Sequence, residues 1–443
     1  MEDRLTFFQR YFTKPIDRDP EKTYSPDNRR FAFRTLGSVV TGVIMLLILA
    51  AVVSAAVAVT LDTQHQRQIQ KELKPPPTPV VDHHSPIRLA LLENFPDPAL
   101  VYKDGTYYAF ATNNAAGILE QRKNFSRSVL HVANVQVATS NNFINWTLLP
   151  PKDDPLATTG AWVTQGHIAG REATIPKAQV WAPGMIQRKT DDKFVMYYSA
   201  NKASERNNTI SAHVPGPGIH PHPHCIGVAV SETTDPAGPY IPVPEPLTCP
   251  IEEGGAIDAQ PFEDIDGTLW VAYKIDGNNI GHGGSCGNTK EPIVPTPIKL
   301  QKMKEGGVEK AGEAVTILDR IKADGPLVEA PAIARSPEGI YFLFYSSGCT
   351  RAPTYDVKYA TAEKITGPYT RAPKPLLKTG DWGLLAPGSI SVLEGKDGGF
   401  DMVFHARVKA QQGGVRAMFT TRLEFEGTSV RMVRANSTAT EED

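Results

Sequence analysis

Short apolar runs rich in aromatic residues recur along most of the chain. They are Tyr107-Tyr108-Ala109-Phe110, Phe194 to Tyr198, Leu269 to Tyr273, Tyr341 to Tyr345 and Phe400 to Phe404. None shows the apolar-polar alternation of a strand with one wet face, so each reads as a strand covered on both sides. Gly-punctuated turns precede three of them: Lys103-Asp104-Gly105, Asp264-Ile265-Asp266-Gly267 and Ser336-Pro337-Glu338-Gly339. A second strand motif follows at a distance. Val135 to Ser140 is echoed by Ile226 to Ser231 and by Val357 to Ala362, and the last two run on to Gly238-Pro239-Tyr240 and Gly367-Pro368-Tyr369.

The unit therefore occurs five times, at intervals longer than a kelch-type blade of about 50 residues, which leaves room for loop insertions. A β-sandwich has no reason to repeat at such a period, whereas a propeller does. The pattern predicts an all-β fold, a five-bladed β-propeller over residues 86–443.

The N-terminal region departs from this pattern. Leu36 to Leu61 carries no charged residue and exceeds the roughly 20 apolar residues that cross a bilayer. Arg29, Arg30 and Arg34 crowd its N-terminal side. The positive-inside rule makes residues 1–35 a cytosolic tail, 36–61 a transmembrane signal-anchor helix, and the remainder luminal or extracellular, as in a single-pass type II membrane protein. Ala56-Val57-Ala58 offers a cleavage site for the rival reading, a signal peptide, but the charged region before it and the apolar run are both long for one. Residues 62–85, with Pro75-Pro76-Pro77-Thr78-Pro79, form a semi-rigid stalk.

Composition adds limits. A formal net charge of −2 gives no basic surface for nucleic acid. The 36 Gly and 37 Pro suit a turn-rich β protein. All four cysteines, Cys225, Cys249, Cys286 and Cys349, follow the apolar span. In an oxidising compartment two disulfides are expected; Cys225 with Cys249 would close one repeat and Cys286 with Cys349 would join two neighbours. No spacing matches a zinc site. Sequons at Asn124, Asn145, Asn207 and Asn436 fall on the same luminal side.

Three of the five units carry an acid just ahead of the aromatic strand, at what reads as one shared position: Asp97 in Phe95-Pro96-Asp97-Pro98, Asp258 in Ile257 to Phe262, and Glu329 in Val328-Glu329-Ala330-Pro331. Trp181-Ala182-Pro183 and Ala386-Pro387-Gly388 occupy the matching places in the other two. Repeats radiating from one axis would gather these acids. An isolated Asp-Pro is more often a turn residue, but three acids in matching repeats argue for chemistry. Asp104, Asp264 and Asp266 sit beside turn glycines and read as structural. The loop 216–224, dense in His and Pro, reads as an exposed insertion, and Gly281 to Gly287 as a loop near the site entrance.

These ordered motifs resemble glycoside hydrolase family 43, five-bladed propeller enzymes that cut arabinose- and xylose-containing glycans. The resemblance covers about residues 93–430. It implies an inverting glycosidase with Asp97 as general base, Glu329 as general acid and Asp258 as the residue that tunes the acid and orients the sugar. Inversion needs an ionised carboxylate and a protonated one across the scissile bond, and a third carboxylate beside the acid disfavours its ionisation. Trp181 suits either a wall for a sugar face or a blade-packing residue. Gln260, His405 and Arg407 are candidate partners for sugar hydroxyls. Many family members carry a His after the Pro-Gly of the fifth unit, near an axial metal; here that residue is Ser389, which places an axial Ca²⁺ in doubt. No cofactor is required, and no metal role is assigned to His405. The expected partners are a pentose-containing glycan and, through residues 36–61, a lipid bilayer. The alternative is a catalytically inactive, membrane-anchored carbohydrate-binding propeller. A retaining enzyme with a sucrose-type mechanism is a third reading.

Overall fold

The computed structural model describes residues 85–114, 132–164, 166–168, 175–177, 180–202, 223–395, 398–408 and 415–434. The predicted tail, anchor helix and nearly all of the stalk lie outside them, as do the sequons at Asn124, Asn207 and Asn436. Asn145 is exposed.

The predicted five-bladed propeller is the observed fold. Blade one holds Ala99–Lys103, Thr106–Ala111, Gln136–Ser140 and Thr147–Leu148. Blade two holds Trp181–Gln187, Phe194–Asn201, His224–Ser231 and Tyr240–Pro242. Blade three is Ala256–Glu263, Leu269–Ile275, Ile298–Lys302 and Val315–Leu318; blade four is Val328–Arg335, Tyr341–Ser347, Asp356–Ala362 and Thr370–Arg371. Each is an antiparallel meander in chain order.

Blade five closes the ring. Leu385–Glu394, Phe400–Arg407 and Arg416–Glu426 come from the C-terminal end, but the strand beside the last of these is Arg88–Leu91 from the start of the domain. Ser429–Val433 pairs with the remainder of the same strand. The two ends of the domain are thus held by one sheet.

Five apolar clusters fill the spaces between neighbouring blades, and they explain why the second strands are apolar throughout. Phe194, Met196 and Tyr198 pack toward blade one, while Val195 and Tyr197 pack toward blade three. Likewise Leu343 and Tyr345 face blade three and Phe342 and Phe344 face blade five. Val403 and Met418 close the circle against Leu100 and Ala109 of blade one. Successive side chains of a strand point to opposite faces, and both faces here are covered. Each large apolar side chain so buried contributes about 1.5–3 kcal/mol.

Both predicted disulfides are present, Cys225–Cys249 and Cys286–Cys349, with Cα separations of 4.5 and 5.6 Å. Two of the turn aspartates make the structural contacts expected of them. Asp264 accepts from the Tyr341 hydroxyl and from Ile265 N–H, and Asp266 accepts from Thr268 N–H.

Candidate active site

The site is built from a bulge repeated around the axis. In blades two to five the first strand gains one residue over its partner between Trp181 and Gly184, Ile257 and Gln260, Glu329 and Ala332, and Leu385 and Gly388. Inside each bulge one residue takes a left-handed backbone: Ala182 (φ 41°), Asp258 (φ 61°), Ala330 (φ 51°) and Ala386 (φ 49°), with Asp97 (φ 57°) at the equivalent point of blade one. A bulge bends its strand and re-aims side chains.

This geometry corrects the expectation that the three acids share one position. Asp97 and Asp258 do, at the left-handed residue. Glu329 stands one residue earlier, matching Trp181, Ile257 and Leu385. Sequence spacing cannot reveal this, because Asp-Pro and Glu-Ala-Pro differ by the one residue that a bulge absorbs.

A bulge leaves a backbone N–H without its ladder partner, and the preceding blade supplies an acceptor. Ala182 N–H donates to Thr112 Oγ1 at 2.9 Å, Asp258 N–H to Ser199 Oγ at 3.1 Å, and Asp97 N–H to His405 Nδ1 at 3.1 Å. In blade five Ser389 N–H donates to Ser346 Oγ at 2.8 Å. Blade four differs. Lys274 stands where a hydroxyl would serve, and lysine cannot accept. Asp258 Oδ2 accepts the Ala330 N–H instead, at 3.0 Å.

The catalytic candidates meet through these contacts. Asp97 accepts from Thr112 Oγ1 at 2.6 Å, pairs with Arg416 at 3.3 Å and is hydrogen-bonded by Ser389. Burial alone would raise its pKa, but Arg416 and these hydrogen bonds outweigh it, and the carboxyl is held below its ordinary range. Asp97 is an ionised carboxylate, the state a base needs.

Glu329 is held at both oxygens. Oε2 accepts from the Lys274 ammonium at 3.1 Å and Oε1 from the Tyr355 hydroxyl at 2.8 Å. Lys274 is fully buried and also bonds Asp276 at 2.9 Å. Burial disfavours its charge, but Asp276, Glu329 and Asp258 outweigh that and raise its pKa. Burial first, and then the Glu329 charge, push the Asp258 carboxyl well above its ordinary value against the pull of Lys274. Asp97 adds to that rise, so all three acids belong to one electrostatic site.

The other candidates have specific surroundings. Trp181 lies 3.9 Å from the His224 ring and stacks on it. Gln260 Nε2 donates to the Pro183 carbonyl of blade two at 3.3 Å. Arg407 bonds the Thr350 carbonyl through Nε and Nη2, at 2.9 and 2.7 Å, and so steadies the loop that carries Tyr355. His405 is fully buried, and burial together with the Arg416 charge lowers its pKa to about 3. It is neutral, accepts at Nδ1 and holds its proton on Nε2, which has no hydrogen-bond partner among the described residues.

An axial calcium ion does not fit these donors. Calcium takes oxygen ligands, yet the Ser389 hydroxyl serves Asp97 and His405 leaves a single nitrogen. Among the described residues no three His, Cys, Asp or Glu side chains converge as a metal site.

Sequence reading missed Lys274, Tyr355, Arg416 and Thr112. Lys274 alone left a trace, as a lone charge ending the apolar strand Leu269 to Ile275.

Known proteins share this architecture. The profile of glycosyl hydrolases family 43 matches residues 88–428. The beta-D-galactofuranosidase xynD of Aspergillus niger is 30% identical over 184 residues, 41% of this chain and 47% of that protein. The match thus spans about half the length of that curated relative. A thermostable family-43 glycoside hydrolase aligns with a TM-score of 0.58 at 23% identity, over 80% of this chain and 96% of that one. An exo-1,5-alpha-L-arabinanase from a bovine ruminal metagenomic library aligns at 0.52 and 18%, over 78% and 99%. An alpha-L-arabinanase of Cellvibrio cellulosa, complexed with arabinohexaose, aligns at 0.51 and 20%, over 78% and 96%. At these identities the structures establish a shared fold.

Proposed function

The chain belongs to glycosyl hydrolases family 43, and we propose that its propeller hydrolyses arabinofuranosyl or xylosyl linkages with inversion. One observation carries this reading: an ionised Asp97 shares a site with a Glu329–Asp258 carboxyl pair whose proton affinity is raised at Asp258. Asp97 accepts a proton from the attacking water. Glu329 gives a proton to the departing glycosidic oxygen as its bond to the anomeric carbon breaks. Asp258, fixed by the Ala330 N–H next to the acid, orients the Glu329 segment toward the sugar. Trp181, on the same ring of positions as Glu329, offers an aromatic face to the sugar, and the similarity to a galactofuranosidase adds galactofuranosides to the substrates worth testing.

Residues 36–61 anchor the enzyme as a type II membrane protein in this reading, with the propeller luminal or extracellular and glycosylated at its sequons. Alkaline carbonate extraction of membranes tests the anchor; release of the chain into the supernatant overturns it.

The activity is tested with pentosyl and galactofuranosyl aryl glycosides, comparing the wild type with E329A. General acid catalysis accounts for about 10²–10⁴ in rate, so E329A should lose at least that on poor leaving groups. Retained turnover removes the assigned acid. Proton NMR of the first anomer released should show inversion; retention makes Asp97 a nucleophile instead.

A further inference from the structure

The second strands of all five blades end near the axis in a polar residue opposite the residue that precedes the bulge. Four of the five are Thr112, Ser199, Ser346 and Arg407; the fifth is Lys274. The three hydroxyls each accept a backbone N–H from the next blade. Lys274 has no such task. Its Nζ is instead 3.1 Å from Glu329 Oε2 and 2.9 Å from Asp276 Oδ1, and its side chain is 1% exposed.

Burying an ammonium is costly unless it is paired and hydrogen-bonded. Nothing in blade packing calls for a charge here, since a serine would cap the Ala330 N–H as it does elsewhere. The lysine has two consequences. It transfers that cap to Asp258, which fixes one oxygen of this carboxyl against the Glu329-Ala330 segment. It also sets a positive charge on one oxygen of Glu329, while Tyr355 holds the other.

We propose that Lys274 is a positioning residue for the acid Glu329, holding one carboxyl oxygen while Tyr355 holds the other. This rests on Glu329 acting as the proton donor. The groups facing that carboxyl are Lys274 and Asp258 from blade three and Tyr355 from the blade-four loop, with Asp276 as the other partner in the Lys274 ion pair. Asp97 of blade one adds charge nearby, and neutral His405 of blade five stacks on Tyr355 at 6.2 Å. Among these Lys274 is the single cation. Asp276 gives it a second carboxylate partner, 2.9 Å from Nζ.

The test uses the full chain and two aryl glycosides of the accepted sugar, one with a phenol leaving group and one with 2,4-dinitrophenol. The latter departs without proton donation, so a defect in the acid is confined to the former. K274M should lower kcat/KM at least roughly tenfold on the phenyl glycoside and leave the dinitrophenyl glycoside nearly unchanged. Its basic limb should move to higher pH, because a carboxyl pair without its cation ionises less readily. D276N, which loosens Lys274 without touching the acid, should give the same pattern in weaker form. Turnover of the dinitrophenyl glycoside reports that the variants are folded.

An equal loss on both substrates, or an unmoved basic limb, overturns the role of Lys274. E329A run in parallel separates that outcome from failure of the underlying reading. If E329A shows the leaving-group split and K274M does not, only Lys274 is misassigned. If E329A itself shows no split, Glu329 is not the acid.

Discussion

The backbone N–H of Asp97 donates to His405 Nδ1 across 308 residues of sequence. The bond joins the first and last blades at the axis, where the proposed base is set, while Arg88–Leu91 joins them at the rim. Ring closure and catalytic geometry are therefore linked: a propeller that failed to close would lose the orientation of Asp97.

Arg416 is expected to set the acidic limb of activity. It holds the Asp97 carboxyl below its ordinary range against burial, and Asp97 must be ionised to take a proton from water. R416M should therefore move the acidic limb of kcat/KM to higher pH, with the basic limb in place. The pH profile on one aryl glycoside checks this; an unmoved acidic limb refutes it.

Asp258 should trade stability for function. Its folded pKa lies above the unfolded value of about 3.9. The stability it contributes is complete below that value and lost as pH rises through the folded pKa. D258N cannot ionise, so at pH 7 it should melt at a higher temperature than wild type, with the gap shrinking as pH falls toward 4. Activity should drop. Thermal unfolding across pH measures the first effect and kcat the second.

Gly388 has a steric reason to be glycine. A Cβ there would lie 1.9 Å from the Tyr355 ring, which must stay in place to reach Glu329. G388A should cost about 1–3 kcal/mol by overpacking, read by denaturant unfolding, and should impair turnover of substrates with poor leaving groups. Stability equal to that of wild type would show that the ring can move aside.

The Cys286–Cys349 bridge ties the Gly-rich blade-three loop to the segment leading into Tyr355. Replacing both cysteines by serine should lower stability by about 2–4 kcal/mol. If the bridge also steadies Tyr355, phenyl glycosides should suffer more than dinitrophenyl glycosides. Equal losses would limit its role to stability.

Much of this was legible in the residues. Runs such as Phe194 to Tyr198 report burial on both faces because adjacent side chains enter different clusters. The repeat of acid, turn and aromatic strand marked Asp97, Asp258 and Glu329. Turn aspartates such as Asp264 could be set aside from their glycine neighbours. Ser389, conspicuous in the sequence as a departure, is built into the site through its bonds to Asp97 and Ser346.

Other features arise from contacts between distant segments, for which local pattern carries no signal. The bulge places Glu329 one residue ahead of its apparent equivalents, because register depends on the partner strand. Arg416 lies in a different blade from Asp97, and Tyr355 reaches Glu329 from a loop 26 residues away. Arg407, read as a candidate sugar partner, supports the Thr350 carbonyl.

The sequence by itself determined the repeat, the strand character of each unit and the three acids, since these follow from side-chain period and composition. Tertiary structure decided which acid is ionised and which are linked. Charge states depend on burial and on distances of a few ångströms, and those are set only when five blades close around one axis.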